Sequence, residues 1–98
     1  MKRRVVFKPQ ALEHLRWFPV RQQRLVTDGI RRHLVENDPR VETRNKFRLR
    51  QASPAADYEL RLEDLRVFYR VEETVLFITV IGVKRGNALI VKGEEFTL

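Results

Sequence analysis

Residues Thr74 to Val83 read TVLFITVIGV, ten positions without a charge. A half-buried strand alternates apolar with polar; this run is apolar on both faces, as a central strand covered from both sides requires. The rest of the chain has to supply neighbours and covers for it. Just upstream, YELRLEDLRVFYRV (Tyr58 to Val71) has a period of two. Tyr58, Leu60 and Leu62 alternate with Glu59 and Arg61, and LRVFYRV alternates likewise beyond a turn near Glu63-Asp64. The first third of the chain has the period of helices. After a short strand, RRVVFK, Pro9 suits a first helical turn, where its missing N–H costs nothing. Ala11, Leu12, Leu15 and Phe18 then recur at helical spacing. Pro19 interrupts, and a second helix is expected from about Val20 to Glu36. Its buried stripe should be Leu25, Val26, Ile30 and Leu34, with Arg21, Arg24, Arg31 and Arg32 outside. ENDP ends it. The tail NALIVKGEEFTL reads as a last strand or a short helix.

This order, β-α-α-β-β-β, describes an α+β domain spanning residues 1–98. The N-terminal strand and helical hairpin pack on one face of a mainly antiparallel sheet of four to five strands. With 98 residues and 43% hydrophobic content, one modest core is expected. The absence of cysteine excludes disulfides and Cys-based metal sites and fits a reducing compartment. The basic start MKRRVVFKPQ has an apolar run of only three residues, so it is read as neither a signal peptide nor a membrane span. The expectation is a soluble cytoplasmic protein with no membrane partner.

Charge narrows the partners. The net charge is +7, and residues 1–50 hold fourteen Lys/Arg against five Asp/Glu, while residues 51–98 hold six against eight. Such a surface favours a polyanion or an acidic protein.

A two-residue turn at Glu63-Asp64 sets Leu62 opposite Leu65, Leu60 opposite Val67 and Tyr58 opposite Tyr69, one apolar face for the helices. On the reverse face Arg61 then meets Arg66, and Glu59 meets Phe68. If the next turn is Glu72-Glu73, Arg66 lies opposite Thr79 and Phe68 opposite Phe77. Arg85 then shares the arginine face, and Lys84 points away unless Gly82 hosts a bulge. Opposed like charges destabilise a sheet by about 0.2–1 kcal/mol, so something should offset them. Either Glu59, diagonal to both, bridges them as an ordinary surface ion pair, or the face is a concave anion site floored by Phe68 and Phe77. Arginine suits the latter because its planar fork grips phosphate in a bidentate way.

In RNKFRLR, the cations Arg44, Lys46, Arg48 and Arg50 alternate with Asn45, Phe47 and Leu49. An extended segment sets them along one edge, as a guard against aggregation or, with Lys84, as a nucleic-acid-binding row. For RNA cleavage, Arg61, Arg66 and Arg85 are the groups to steady a pentavalent phosphate. Glu59, the only carboxylate on that face, is the candidate base. His14 is read as solvent-facing and His33 as a helix-edge packing residue. No Asp/Glu cluster or His pair has metal-ligand spacing, and no phosphate-cradling glycine loop is present, so neither metal nor cofactor is expected.

The helical hairpin ending in ENDP, followed by RNKFRLR, YELRLEDLRVFYRV and ITVIGVKRGN, resembles the RelE/ParE superfamily of type II toxin–antitoxin toxins over nearly the whole chain. The resemblance implies the fold described above and a cognate antitoxin that wraps the basic surface. It implies either a metal-independent, ribosome-dependent mRNA endonuclease or a non-enzymatic inhibitor of DNA gyrase; a basic binding module without nuclease activity is the further alternative. By that resemblance Arg66 matches the arginine that opens the RVFY strand and contacts the scissile phosphate of ribosome-bound mRNA. Arg61 and Arg85 match basic residues on the preceding strand and after the central strand. Glu59 stands where the family carries lysine, no tyrosine follows Tyr69, and the tail lacks a basic helix.

Overall fold

The computed structural model describes residues 3–98. Strand β1 (Arg4–Phe7) leads into helix α1 (Pro9–Trp17), with Pro9 at its first position. Helix α2 (Val20–Ile30) continues into a π-helical turn (Arg31–Val35), so the second helical segment spans nearly the expected range. Six further strands follow: β2 (Lys46–Arg48), β3 (Tyr58–Leu62), β4 (Leu65–Glu72), β5 (Val75–Arg85), β6 (Ala88–Val91) and β7 (Glu94–Phe96). The antiparallel path runs β2-β3-β4-β5-β6-β7, and β1 pairs in parallel with β5. The architecture is the expected α+β one with seven strands, because RNKFRLR contributes a short strand and the tail folds as a hairpin. That hairpin turns at Lys92 (φ 52°) and Gly93 (φ 81°), and glycine adopts such left-handed backbone without strain. Among the described residues no helix is long and apolar enough to cross a membrane.

The long strand β5 organises the molecule. One edge pairs with β4 along most of its length; the other takes β1 at Val75–Ile78 and β6 at Val83–Arg85. Its two faces are covered as its composition demands. The helix side holds Ala11, Leu15, Val26, Ile30 and Leu34 against Leu60, Val67, Tyr69, Leu76, Ile78 and Ile81. The reverse side carries a second, smaller core of Ala56, Phe68, Val80 and Val91, closed by the loop before β3. Leu25, expected in the buried stripe, is exposed, while Gly29 is buried against Leu62, whose side-chain tip would have to shift to admit a Cβ.

The β3–β4 register is the one the alternation predicts, with Leu62 opposite Leu65 and Arg61 opposite Arg66. The β4–β5 register is not. Glu72 pairs with Val75, so the turn is Glu73-Thr74 rather than Glu72-Glu73, and Arg70 rather than Phe68 faces Phe77. Further along, the partners step from Ile78 to Val80 between Tyr69 and Phe68, so Thr79 is an extra residue in β5. Its hydroxyl donates to the Phe68 carbonyl at 3.2 Å. This bulge reverses the parity of everything beyond it. Arg66 lies opposite Gly82 instead of Thr79, and Lys84 rather than Arg85 shares its face.

Candidate functional site

The site grows from the β3–β4 hairpin. Its two-residue turn starts with Glu63 at φ 58°, and the Arg66 Nη1 donates to the carbonyls of Glu63 (2.7 Å) and Leu65 (2.9 Å), folding the side chain back over that turn. Glu59 answers the cross-strand repulsion. Its Oε2 accepts the Arg61 Nε–H at 2.9 Å and lies 3.5 Å from Arg66 Nε. The second contact is an ion pair but not an aligned hydrogen bond: the buried Arg66 Nε has no hydrogen-bond partner. Removal from water lowers the Arg66 pKa, Arg61 lowers it further, and Glu59 and Asp64 oppose them. The Nε–H is turned toward Glu59, so an anion in the groove would meet the outer edge of the guanidinium rather than this buried donor. Arg61 leans the other way, over the Phe47 ring at 4.7 Å, and is half exposed at the sheet edge.

A groove of about 620 Å³ opens beside Arg66. Glu59, Arg66, Phe68, Lys84 and Arg85 line its sheet side; Asn87, Ala88, Leu89, Glu95 and Phe96 build the opposite wall. Gly82 makes that wall possible. A Cβ there would meet the Ile90 carbonyl oxygen at 2.6 Å, so only glycine lets the β6–β7 hairpin fold this close. Lys84 and Arg85 are exposed, and both reach the groove although they alternate across the strand; Lys84 Nζ donates to the Asn87 carbonyl at 3.4 Å. The groove thus gathers Glu59, Arg66, Lys84 and Arg85 and leaves Arg61 on its flank. Phe77 is not part of its floor: it sits nearer the strand's start, under the Lys8 ammonium at 4.9 Å. The second carboxylate in the groove, Glu95, was not legible in the sequence, because the tail's hairpin was not.

The basic row disperses. Lys46 pairs with Leu60 and so faces the helices, where it is 2% exposed. Its Nζ donates to the carbonyls of His33 (2.6 Å) and Asp38 (2.8 Å) at the end of the second helical segment, and burial lowers its pKa. It is a structural tether, not a surface cation: the helix's last carbonyls need a donor, and an ammonium supplies one. Arg48 lies 5.4 Å over the Tyr58 ring on the helix side, while Arg44 and Arg50 remain exposed. His14 also departs from its reading. It is buried, and its Nδ1 accepts the Ile81 N–H at 3.2 Å where β1 has left the β5 edge and β6 has not yet joined. Burial and Lys92 lower its pKa, Glu13 opposing; His33, half-buried, is lowered by burial and by Arg32 and Lys46. Among the described residues no group of three or more His, Asp or Glu is placed to hold a metal ion.

No family model and no curated protein matches this sequence. Solved structures do. The archaeal RelE–RelB complex from Pyrococcus horikoshii OT3 contains a chain that superposes with a TM-score of 0.65 at 27% identity, covering 90% of this chain and 100% of that one. The RelBE2 toxin–antitoxin complex of Mycobacterium tuberculosis matches with a TM-score of 0.65 at 19% identity, over 86% and 100%. The chain has the RelE-like fold, and these likenesses support a toxin of the RelE/ParE superfamily. In this RelE-like toxin the opposed arginines, the carboxylate between them and the groove follow from its own strand register, whatever the low identity leaves different elsewhere.

Proposed function

We propose that this RelE-like toxin cuts mRNA bound at the ribosome without a metal ion, and that a cognate antitoxin silences it by covering its basic surface. The observation that supports cleavage is the gathering of the partly desolvated Arg66 guanidinium, Lys84, Arg85 and the Glu59 carboxylate in one groove. A phosphodiester placed there would have its non-bridging oxygens held by Arg66 and Arg85 as negative charge grows on the pentavalent phosphorus. Glu59 takes the proton of the attacking 2′-hydroxyl, and the Lys84 ammonium protonates the departing 5′-oxygen. The products are a 2′,3′-cyclic phosphate and a free 5′-hydroxyl, and no group outside the groove and the RNA is consumed.

One observation favours the non-enzymatic reading. Arg66 already spends Nη1 on two turn carbonyls, and Glu59 sits between both arginines. A groove neutralised in this way suits a binding surface, as in an inhibitor of DNA gyrase. Cleavage of mRNA on translating ribosomes, run beside gyrase supercoiling, separates the two. Cleavage that vanishes with Arg66→Ala supports the nuclease. Inhibited supercoiling without cleavage transfers the chain to the second reading. For the antitoxin, affinity should fall as salt rises, since part of the attraction is between exposed charges; a salt-independent affinity would point to an apolar interface.

A further inference from the structure

A second groove, of about 390 Å³, lies where the β5 edge is free between β1 and β6. Lys8, Gln10, His14, Arg70, Glu72 and Phe96 are on its lining. Phe96, 37% exposed, also lines the first groove and is the side chain at which the two meet. Lys8 and Arg70 have no carboxylate partner among the described residues; Arg70 instead donates to the Pro54 carbonyl. Glu72 is the carboxylate on the rim.

The most telling group is His14, only 8% exposed. Because its Nδ1 accepts the Ile81 N–H, the neutral ring carries its proton on Nε2. That N–H has no hydrogen-bond partner among the described residues. The nitrogen is not among the buried unsatisfied atoms, so it opens onto the groove, where it is free to donate beside two cations without a carboxylate partner. An accessible N–H between two cations favours an oxyanion as its acceptor. A free mononucleotide would satisfy one groove and leave the other empty. A single-stranded nucleic acid presents phosphates on either side of each base, matching two cationic basins divided by an exposed aromatic ring.

We propose that the second groove binds the phosphodiester of a neighbouring nucleotide on the same RNA strand that Arg66 engages, with Lys8 and Arg70 supplying charge and His14 Nε2 a hydrogen bond. The choice of RNA rests on the cleavage reading above; the groove and its unspent donor do not.

The test compares a dinucleotide, with one phosphodiester, and a hexanucleotide, both deoxy at the 2′ position so that neither is cut. For the hexanucleotide, Lys8→Ala should lower the slope of log affinity against log salt by about 0.7, the share of one phosphate contact on a single strand. Adding Arg70→Gln should keep the slope loss at that one-phosphate share and weaken binding about tenfold or more. Neither change should alter dinucleotide binding, whereas Arg66→Ala should weaken both ligands. The His14 Nε2–H resonance should move on adding the hexanucleotide and not the dinucleotide. Hexanucleotide affinity and salt slope unchanged in Lys8→Ala would overturn the subsite and leave the cleavage reading standing. A wild-type protein that neither binds nor cuts RNA would remove the cleavage reading and the subsite with it.

Discussion

The two faces of β3 and β4 are made by alternate residues of the same strands, yet they obey opposite rules. On the helix side Leu60, Val67 and Tyr69 are fully buried, stacked and satisfied, with the Tyr69 hydroxyl donating to the Pro39 carbonyl at 2.8 Å. On the reverse side Glu59, Arg61 and Arg66 sit in an arrangement that costs stability: two like charges are opposed and one buried Nε–H is left unspent. One face closes the fold and the other keeps chemistry available. Because a strand's side chains alternate with a period of two, neither role has to be traded against the other residue by residue.

Arg66→Ala should break this division most visibly. Losing one charged contact to the transition state costs about 2–4 kcal/mol, a hundredfold or more in cleavage rate. Stability should drop by only about 1 kcal/mol, for the two lost hydrogen bonds to the turn set against relief from Arg61. Cleavage rates and denaturant melts of one preparation check both halves; an unfolded variant would mean the face is structural after all.

Leu60→Ala is the mirror experiment. It should cost about 3 kcal/mol in a urea melt, because a fully buried leucine leaves a cavity. Activity per folded molecule should hold. A melt like the parent's would contradict the burial that defines the helix side.

Lys46→Met keeps the aliphatic stem and removes the ammonium from the carbonyls of His33 and Asp38. Two buried acceptors lose their donor, and relief of a desolvated charge returns part of the loss, so about 2 kcal/mol of destabilisation is expected. RNA affinity should change little. A large loss of affinity with unchanged stability would restore Lys46 to the binding surface.

The smallest effect is in pH. The folded state lowers the pKa of His14 and His33, so below about pH 6.5 the unfolded chain binds protons that the folded one refuses. Stability should therefore fall as pH drops from about 6.5 through the lowered values, by at most about 1.4 kcal/mol per pH unit for each histidine. His14→Gln, which can still accept from Ile81, should remove its share of the slope and leave that of His33. An unchanged slope would assign the effect elsewhere.

Much of this was legible in the sequence because it is local. The helix stripe at Val26, Ile30 and Leu34, the alternation of Tyr58 to Val71 and the two-residue turn between Leu62 and Leu65 each lie within a few residues of what they determine. Once that turn was placed, the juxtaposition of Arg61, Arg66 and Glu59 followed by counting. Counting failed where the strand ladder slips. Nothing in TVLFITVIGV marks Thr79 as the extra residue, since its unpaired position depends on β4 on one side and on β1, His14 and β6 on the other. That single bulge moved Lys84 onto the arginine face, and the shifted turn set Phe77 opposite Arg70, away from the groove. The burial of Lys46 and His14 has the same origin. Each fills a backbone hydrogen-bonding need created by an element distant in sequence, the end of the second helical segment for one and the open edge of β5 for the other. Alternation assigns a residue to a face only along an unbroken ladder, and where the ladder breaks is set by what packs against it.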